Sequence, residues 1–229
     1  MRKLTLTIIA AALWLSAAAQ KQYKVNFQGA KPNIADFAET YLNQANDGEE
    51  DDCADESTNA FRWAWNTQRK GQKLTPGHTL TVDAKNGFIV YESHQDDGFK
   101  LRVEMVYWNE SDGRHKLIAC GTYCFQKGTY QAGQFDGLTF LRYDSSTKTM
   151  QYTAAPGFDI QYTADDGAWV SYDLPRQGKD IIVNYWYDQG KRKTTKTLKW
   201  NGKSLHSDTT YKKQMRGPRR WASHLRMIK

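Results

Sequence analysis

The sequence predicts a mainly β (α+β) chain: antiparallel β-sheets, sandwich-like or partial propeller-like, with two short N-terminal helices. From His78 onward, short runs rich in Val, Ile, Thr, Tyr and Trp alternate with Asn-Gly and Asp-Gly pairs, the turn dipeptides of β-hairpins. Ahead of them, two windows carry apolar residues at helical period. The 229 residues hold 8 Trp, 13 Tyr and 9 Phe against 17 Gly and 5 Pro, which excludes a collagen-like or fully disordered chain. That length suits one large domain or two small ones.

The chain opens with MRKLTLTIIAAALWLSAAAQ, in which Arg2 and Lys3 precede an apolar run from Leu4 to about Leu15 and then the small residues Ser16 to Ala19. This is the layout of a secretory signal peptide, residues 1–19, with cleavage expected near Gln20 and a periplasmic, cell-surface or secreted product. A retained anchor needs roughly 20 apolar residues, more than this run offers. No Cys follows the run to accept a lipid, and nothing after Gln20 reads as transmembrane.

Residues 20–76 read as a helical segment with an acidic loop. Asn33 is placed to cap a helix whose apolar residues Ile34, Phe37, Ala38, Tyr41, Leu42 and Ala45 form one stripe. From Asp47 to Glu56 come seven carboxylates and no cation, a solvated loop by self-repulsion. A second helix, capped by Ser57 or Thr58, carries Phe61, Ala64, Trp65 and Gln68 and ends near Gly71.

Residues 77–206 form the β-rich part. The turns are Asn86-Gly87, Asp97-Gly98, Asp112-Gly113, Asp136-Gly137, Asp166-Gly167, Gln189-Gly190 and Asn201-Gly202. Between them lie strands at Phe88–Glu92, Lys100–Tyr107, His115–Phe125, Leu138–Tyr143, Met150–Thr153, Trp169–Tyr172, Ile181–Tyr187 and Thr195–Trp200. In LRVEMVYW, Leu101, Val103, Met105 and Tyr107 share one face and Arg102 and Glu104 the other, which predicts one packed and one wet sheet face. Three segments, VYWNESDGRHKLIA, FLRYDSSTKTMQY and NYWYDQGKRKTTKTLKW, place Tyr107, Tyr143 and Tyr187 at similar points of a strand-turn-strand unit. Their interval resembles propeller blades, and LKWNGKSL resembles the closing strand of some extracellular propeller repeats. The strand-rich part has room for about four blades at most. A sandwich, or a twisted sheet with the helices beside it, is favoured.

Charge is unevenly spread. Residues 20–190 hold 17 Lys and Arg against 24 Asp and Glu, whereas residues 191–229 hold 13 against Asp208 alone. Residues 207–229 are read as a basic tail. Lys191, Arg192, Lys193, Lys212, Lys213, Arg219 and Arg220 offer a surface for anionic lipid or polysaccharide; export makes nucleic acid an unlikely partner.

No H-E-x-x-H, G-x-S-x-G, Walker A or dinucleotide motif occurs, no His pair has ligand spacing, and no cofactor or metal is expected. Cys53, Cys120 and Cys124 are too few for structural zinc. On one regular strand Cys120 and Cys124 lie about 13 Å apart, beyond the ~7 Å of a disulfide unless Gly121 bulges. A bridge from Cys53 to either, and free thiols, both stay open. A Cys/His pair with His115 would need its base from a second strand. Glu92, Asp96, Asp97, Glu104 and Asp144 are carboxylates for glycoside chemistry, but Asp in Asp-Gly pairs serves the turn. The rings carry the stronger signal: neighbours such as Trp186 and Tyr187 point to opposite sheet faces, so some face away from the core. Trp108, Trp169, Trp186, Tyr187 and Trp200 are the ligand-binding candidates. The reading is a non-catalytic binding or envelope-associated module for glycan or peptide, with a carboxylate-dependent hydrolase and electrostatic adhesion as alternatives.

Overall fold

The structure, a computed structural model, describes residues 21–44, 56–132, 137–160, 168–188, 190 and 192–207. The signal peptide, most of the acidic loop with Cys53, the Asp166-Gly167 turn, Lys191 and the tail beyond Ser207 lie outside these residues.

Helix α1 (Ile34–Gln44) follows a short strand β1 (Tyr23–Lys24). Its start is closed reciprocally: the Ala35 N–H donates to Asn33 Oδ1 at 2.7 Å and the Asn33 N–H to Asp36 Oδ2 at 2.8 Å, so two amides without helical partners are satisfied. Helix α2 (Glu56–Arg69) begins ahead of the expected Ser57 or Thr58 cap, and Ser57 is buried within its first turn. It ends where expected. Gly71, at φ 70°, lets its own N–H reach the Gln68 carbonyl and that of Gln72 reach Thr67.

The remainder is antiparallel β-structure, one large curled half-barrel sheet and one small sheet. The large sheet contains β2 (His78–Asp83), β3 (Phe88–His94), β4 (Phe99–Asn109), β5 (His115–Gln126), β6 (Thr129–Gln131), β7 (Gly137–Asp144) and β8 (Thr149–Tyr152). Its order is β1-β8-β7-β5-β4-β3-β2, with β6 on the far end of β5. The small sheet contains β9 (Trp169–Asp173), β10 (Ile181–Tyr187), β11 (Arg192–Trp200) and β12 (Leu205–Ser207), ordered β12-β11-β10-β9. All eight predicted strands exist, and Ile181–Tyr187 has the expected ends. Two of the three similar segments, the hairpins β4–β5 and β7–β8, share the large sheet, while β10–β11 lies in the small one.

Strand alternation sorts the large sheet into two packed faces. Leu101, Val103 and Met105 join Ile89, Ile118 and Leu141 beneath Ile34, Phe37, Phe61 and Trp65 of the helices. On the other face Val106, Trp108, Leu117 and Phe140 meet Val170, Tyr172, Val183, Leu198 and Trp200 of the small sheet. The face expected to be wet is therefore covered. Glu104 has no exposed surface there, and its Oε2 accepts the Leu174 N–H at 3.0 Å across the layers. Further ties are Tyr130 Oη to the Val170 carbonyl at 3.2 Å and the Ser111 N–H to the Gly202 carbonyl at 2.8 Å.

Register runs unbroken through Gly121, which faces Glu104 on β4 and Leu138 on β7. Without a bulge, Cys120 and Cys124 keep the strand separation that prevents a bridge between them. Gly121 is required for space: a Cβ there would lie 2.6 Å from Tyr123 Oη, because the Tyr123 ring folds back over it. Tyr123 is fully buried, so neither atom has room to move away. Gly121→Ala should cost about 1–3 kcal/mol by urea unfolding; an unchanged midpoint would show that Tyr123 moves freely.

Candidate functional site

The five ring candidates divide by layer. Trp108 and Trp200 are 4% and 5% exposed, packed at 6.3 Å within the core between the sheets. They are corrected from ligand platforms to core residues, since a ring buried on both faces presents none to a ligand. Trp169, Trp186 and Tyr187 are half-buried. Trp186 lies opposite Trp169 and donates its indole N–H to Ser171 Oγ at 2.8 Å. Lys193 Nζ stands 5.1 Å from its ring centroid, and the rings of Tyr130 and Phe125 lie 5.7 and 6.3 Å away. These neighbours leave the Trp186 ring hemmed in rather than open for stacking. Of the basic candidates, Lys193 is exposed and Arg192 starts β11. Lys191, Lys212, Lys213, Arg219 and Arg220 lie outside the described residues.

The carboxylates differ in access and in charge state. Asp97 holds its turn by accepting the Phe99 N–H at 2.8 Å, the conformational role expected of it. Burial works to raise the Glu92 pKa, yet Lys100, Arg102 and His94 outweigh it and the net shift is downward. Glu104 moves the other way: burial pushes its carboxyl up, opposed by the adjacent Arg102 and the Leu174 N–H. It is sealed between layers, out of reach of a substrate.

An open polar cleft lies where the small sheet stops covering the large one. On β7, Phe140 is under the small sheet, and Arg142, two residues on along the same face, emerges beyond its margin. Arg142 donates to both Glu110 oxygens, at 2.6 and 2.5 Å, and lies 3.9 Å from Asp112. With Ser111, Thr153, Gly202 and Lys203 these groups surround a cleft of about 330 Å³ whose apolar side is Leu117 and Pro156. Beyond Arg142 a smaller cleft of about 120 Å³ contains His115, Asp144, Thr149, Gln151 and Gln22. The β4–β5 turn fixes the wall between them. Asp112 Oδ1 accepts the N–H groups of Arg114 and His115 at 2.9 Å each, Asp112 Oδ2 is 2.5 Å from His115 Nδ1, and Arg114 forks onto Asp144. His115, through its side chain and its N–H, holds Asp112 well below the usual carboxylate range, and Arg114 does the same for Asp144.

The donor atoms of Glu110, Asp112 and His115 lie within 4.8 Å of one another, a spacing that three metal ligands can share. Each of these groups already has a partner: Arg142 donates to both Glu110 oxygens, and the turn amides with His115 engage Asp112. A cation there would compete with a bidentate arginine for Glu110. Cys120 and Cys124 face the helices, whereas His115 lines a cleft on the opposite face, so no Cys/His pair forms among them.

Comparison with protein-family models, curated proteins and solved structures finds no match to the chain. No helix among the described residues is long and apolar enough to cross a membrane.

Sequence reasoning named His115 and Asp144 but missed Glu110, Ser111, Asp112, Arg142, Thr153 and Lys203 as one site. Arg142 was legible as the charged residue between Leu141 and Tyr143 on β7. What brought it to the β4–β5 turn was strand order, which local pattern does not encode.

Because the folded Glu104 pKa lies above its unfolded value, its contribution to stability is full below the ordinary carboxylate pKa and is lost as pH rises through the folded value. Glu104→Gln removes this titration. Denaturant unfolding should show the variant gaining stability relative to the parent as pH rises from about 4 to about 7; a difference constant over that range would contradict the assignment.

Proposed function

We propose that the chain is an exported, non-catalytic binding module, and that the cleft of Glu110, Asp112, Arg142 and Lys203 holds its ligand, a glycan segment. The observation that supports this reading is the cleft itself, whose wall carries fixed charges of both signs beside the apolar Leu117 and Pro156. Two anions and two cations in the wall balance formally, so a charged ligand gains little net field, while a neutral chain of hydroxyls finds donors and acceptors already oriented. Bidentate Arg142–Glu110 pairing holds those groups without the ligand, which reduces the ordering cost on binding. The open cleft suits a chain running through it. A peptide is the second occupant the chemistry allows.

Binding is favoured over turnover by the state of the carboxyls. Two-carboxylate glycoside hydrolysis needs one acid that keeps its proton near neutral pH and another that is ionised, both facing the sugar. Asp112 and Asp144 beside the clefts are pushed toward the ionised form, whereas Glu104, whose pKa is raised, is closed off from solvent. Export is supported by the charged, apolar and small-residue order of the first twenty residues. Adhesion through the basic residues 191–229 remains a separate reading, distinguished by its loss at high salt.

A glycan array probed at high salt should give binding to neutral polysaccharide. Arg142→Ala should weaken it about tenfold, equivalent to about 1.4 kcal/mol, with thermal stability little changed at this exposed position. Binding that is indifferent to Arg142→Ala, or detected with anionic surfaces at low salt alone, would overturn the reading.

A further inference from the structure

β2 is an open edge of the large sheet: among the described residues it pairs with β3 alone. The His94 N–H donates to the Gly77 carbonyl at 2.7 Å, which marks Gly77 and His94 as a mutually bonded position. Bonding alternates along an antiparallel pair, so Thr79, Thr81 and Asp83 turn their backbone groups to β3, while His78, Leu80 and Val82 turn theirs outward. No Pro, Lys or Arg interrupts His78–Asp83, and all six residues are in register with β3. Two large apolar side chains beside this edge are exposed: Val82 is 37% exposed, and Trp63 of α2, 40% exposed, packs edge-on against His78 at 4.9 Å. Val82 and Trp63 are two of the three exposed large hydrophobic residues among those described; Tyr152 is the third.

We propose that β2 pairs antiparallel with β2 of a second copy of this chain about a two-fold axis at Leu80. A two-fold axis normal to the sheet keeps both copies' helices on one side and makes outward-facing residues meet outward-facing residues. One register engages all three from each copy: Leu80 opposite Leu80 of the second copy, and His78 opposite its Val82. That register also explains the exposed rings and methyls. His78 and Leu80 lie on the helix side, since His78 Nδ1 is 2.9 Å from Tyr91 Oη and Leu80 packs on the helix-side core. Val82 of the second copy thus arrives beside His78, against Trp63, and the two exposed apolar groups cover each other twice. On the other face Thr79 meets Thr81, a favourable cross-strand pair. No formally charged carboxylate, Lys or Arg lies within residues 78–82, so no like charges oppose.

Sedimentation of the full chain should show a concentration-dependent dimer, and Val82→Lys should weaken it at least about tenfold with the circular dichroism spectrum unchanged. Cross-linking tests the register directly. In Leu80→Cys the two introduced residues lie about 5.5 Å apart across the axis, within disulfide range, whereas in Thr79→Cys they are separated by about 7–8 Å. Mild oxidation should therefore link Leu80→Cys dimers, above the background of the parent chain, and leave Thr79→Cys unlinked. A monomer up to the solubility limit, a dimer unaffected by Val82→Lys, or equal linking at both positions would each overturn the proposal.

Discussion

Coverage of the large sheet on both faces is the constraint from which the remaining features follow. Strand alternation sends Leu101, Val103 and Met105 to one side and Val106, Trp108 and, through β5, Leu117 to the other. Each apolar face has to be removed from water, at roughly 25 cal/mol per Å² of surface. Helices do this on one side and the four-stranded sheet on the other. Two layers of large side chains then have to be filled, which is where most of the aromatic residues go. Phe37, Phe61 and Tyr91 fill the helix side, and Tyr123, Tyr172, Trp108 and Trp200 the other.

Glu104 shows how the second layer is held in register. A carboxylate without exposure would be costly if unpaired, but Arg102 lies beside it and the Leu174 amide donates from the loop leaving β9. That loop is tied again where Arg176 donates to Asp83 at 2.9 Å, with Asn86 and Arg176 holding the Asp83 pKa down at about 2. Apolar contact tolerates sliding between sheets, whereas a buried acceptor with one amide donor fixes a single position. Gly121 completes the arrangement from the neighbouring strand, leaving the space over which Tyr123 folds.

Much of the fold was legible because its signals are local. Asn33 with Asp36, the Gly71 stop, the Asn-Gly and Asp-Gly turns and the β-branched runs each act within a few residues. The errors arose from partners far along the chain. Arg102 and Glu104 read as a wet face because charge is the usual mark of exposure; the amide that satisfies Glu104 is seventy residues away. Trp108 and Trp200 read as surplus rings because neighbouring strand residues point to opposite faces, and local pattern does not show which face a second sheet covers. Asn201-Gly202 predicted its turn correctly, yet nothing local said which strands build the separate sheet folded back over the first.

The same geometry accounts for where polar chemistry reaches the surface. The small sheet is shorter than the large one, so its cover ends partway along β7: Phe140 is inside and Arg142 outside, on one strand face. A charged residue at such a margin has an apolar wall on one side and water on the other, where ion pairs lose less to screening than on an open surface. The row His115, Asp144 and Thr149 crosses β5, β7 and β8 at adjoining register positions, and the row Leu117, Arg142 and Gln151 runs beside it. Two neighbouring rows, one wholly polar and one with Leu117 at its covered end, make a cleft with graded polarity from the core outward. The polar cleft is thus a consequence of unequal sheet length, and it stands apart from β2, where among the described residues the same large sheet ends in a strand paired on one side alone. One sheet with two different boundaries gives the chain two different surfaces, a polar margin beside the small sheet and a backbone edge along β2.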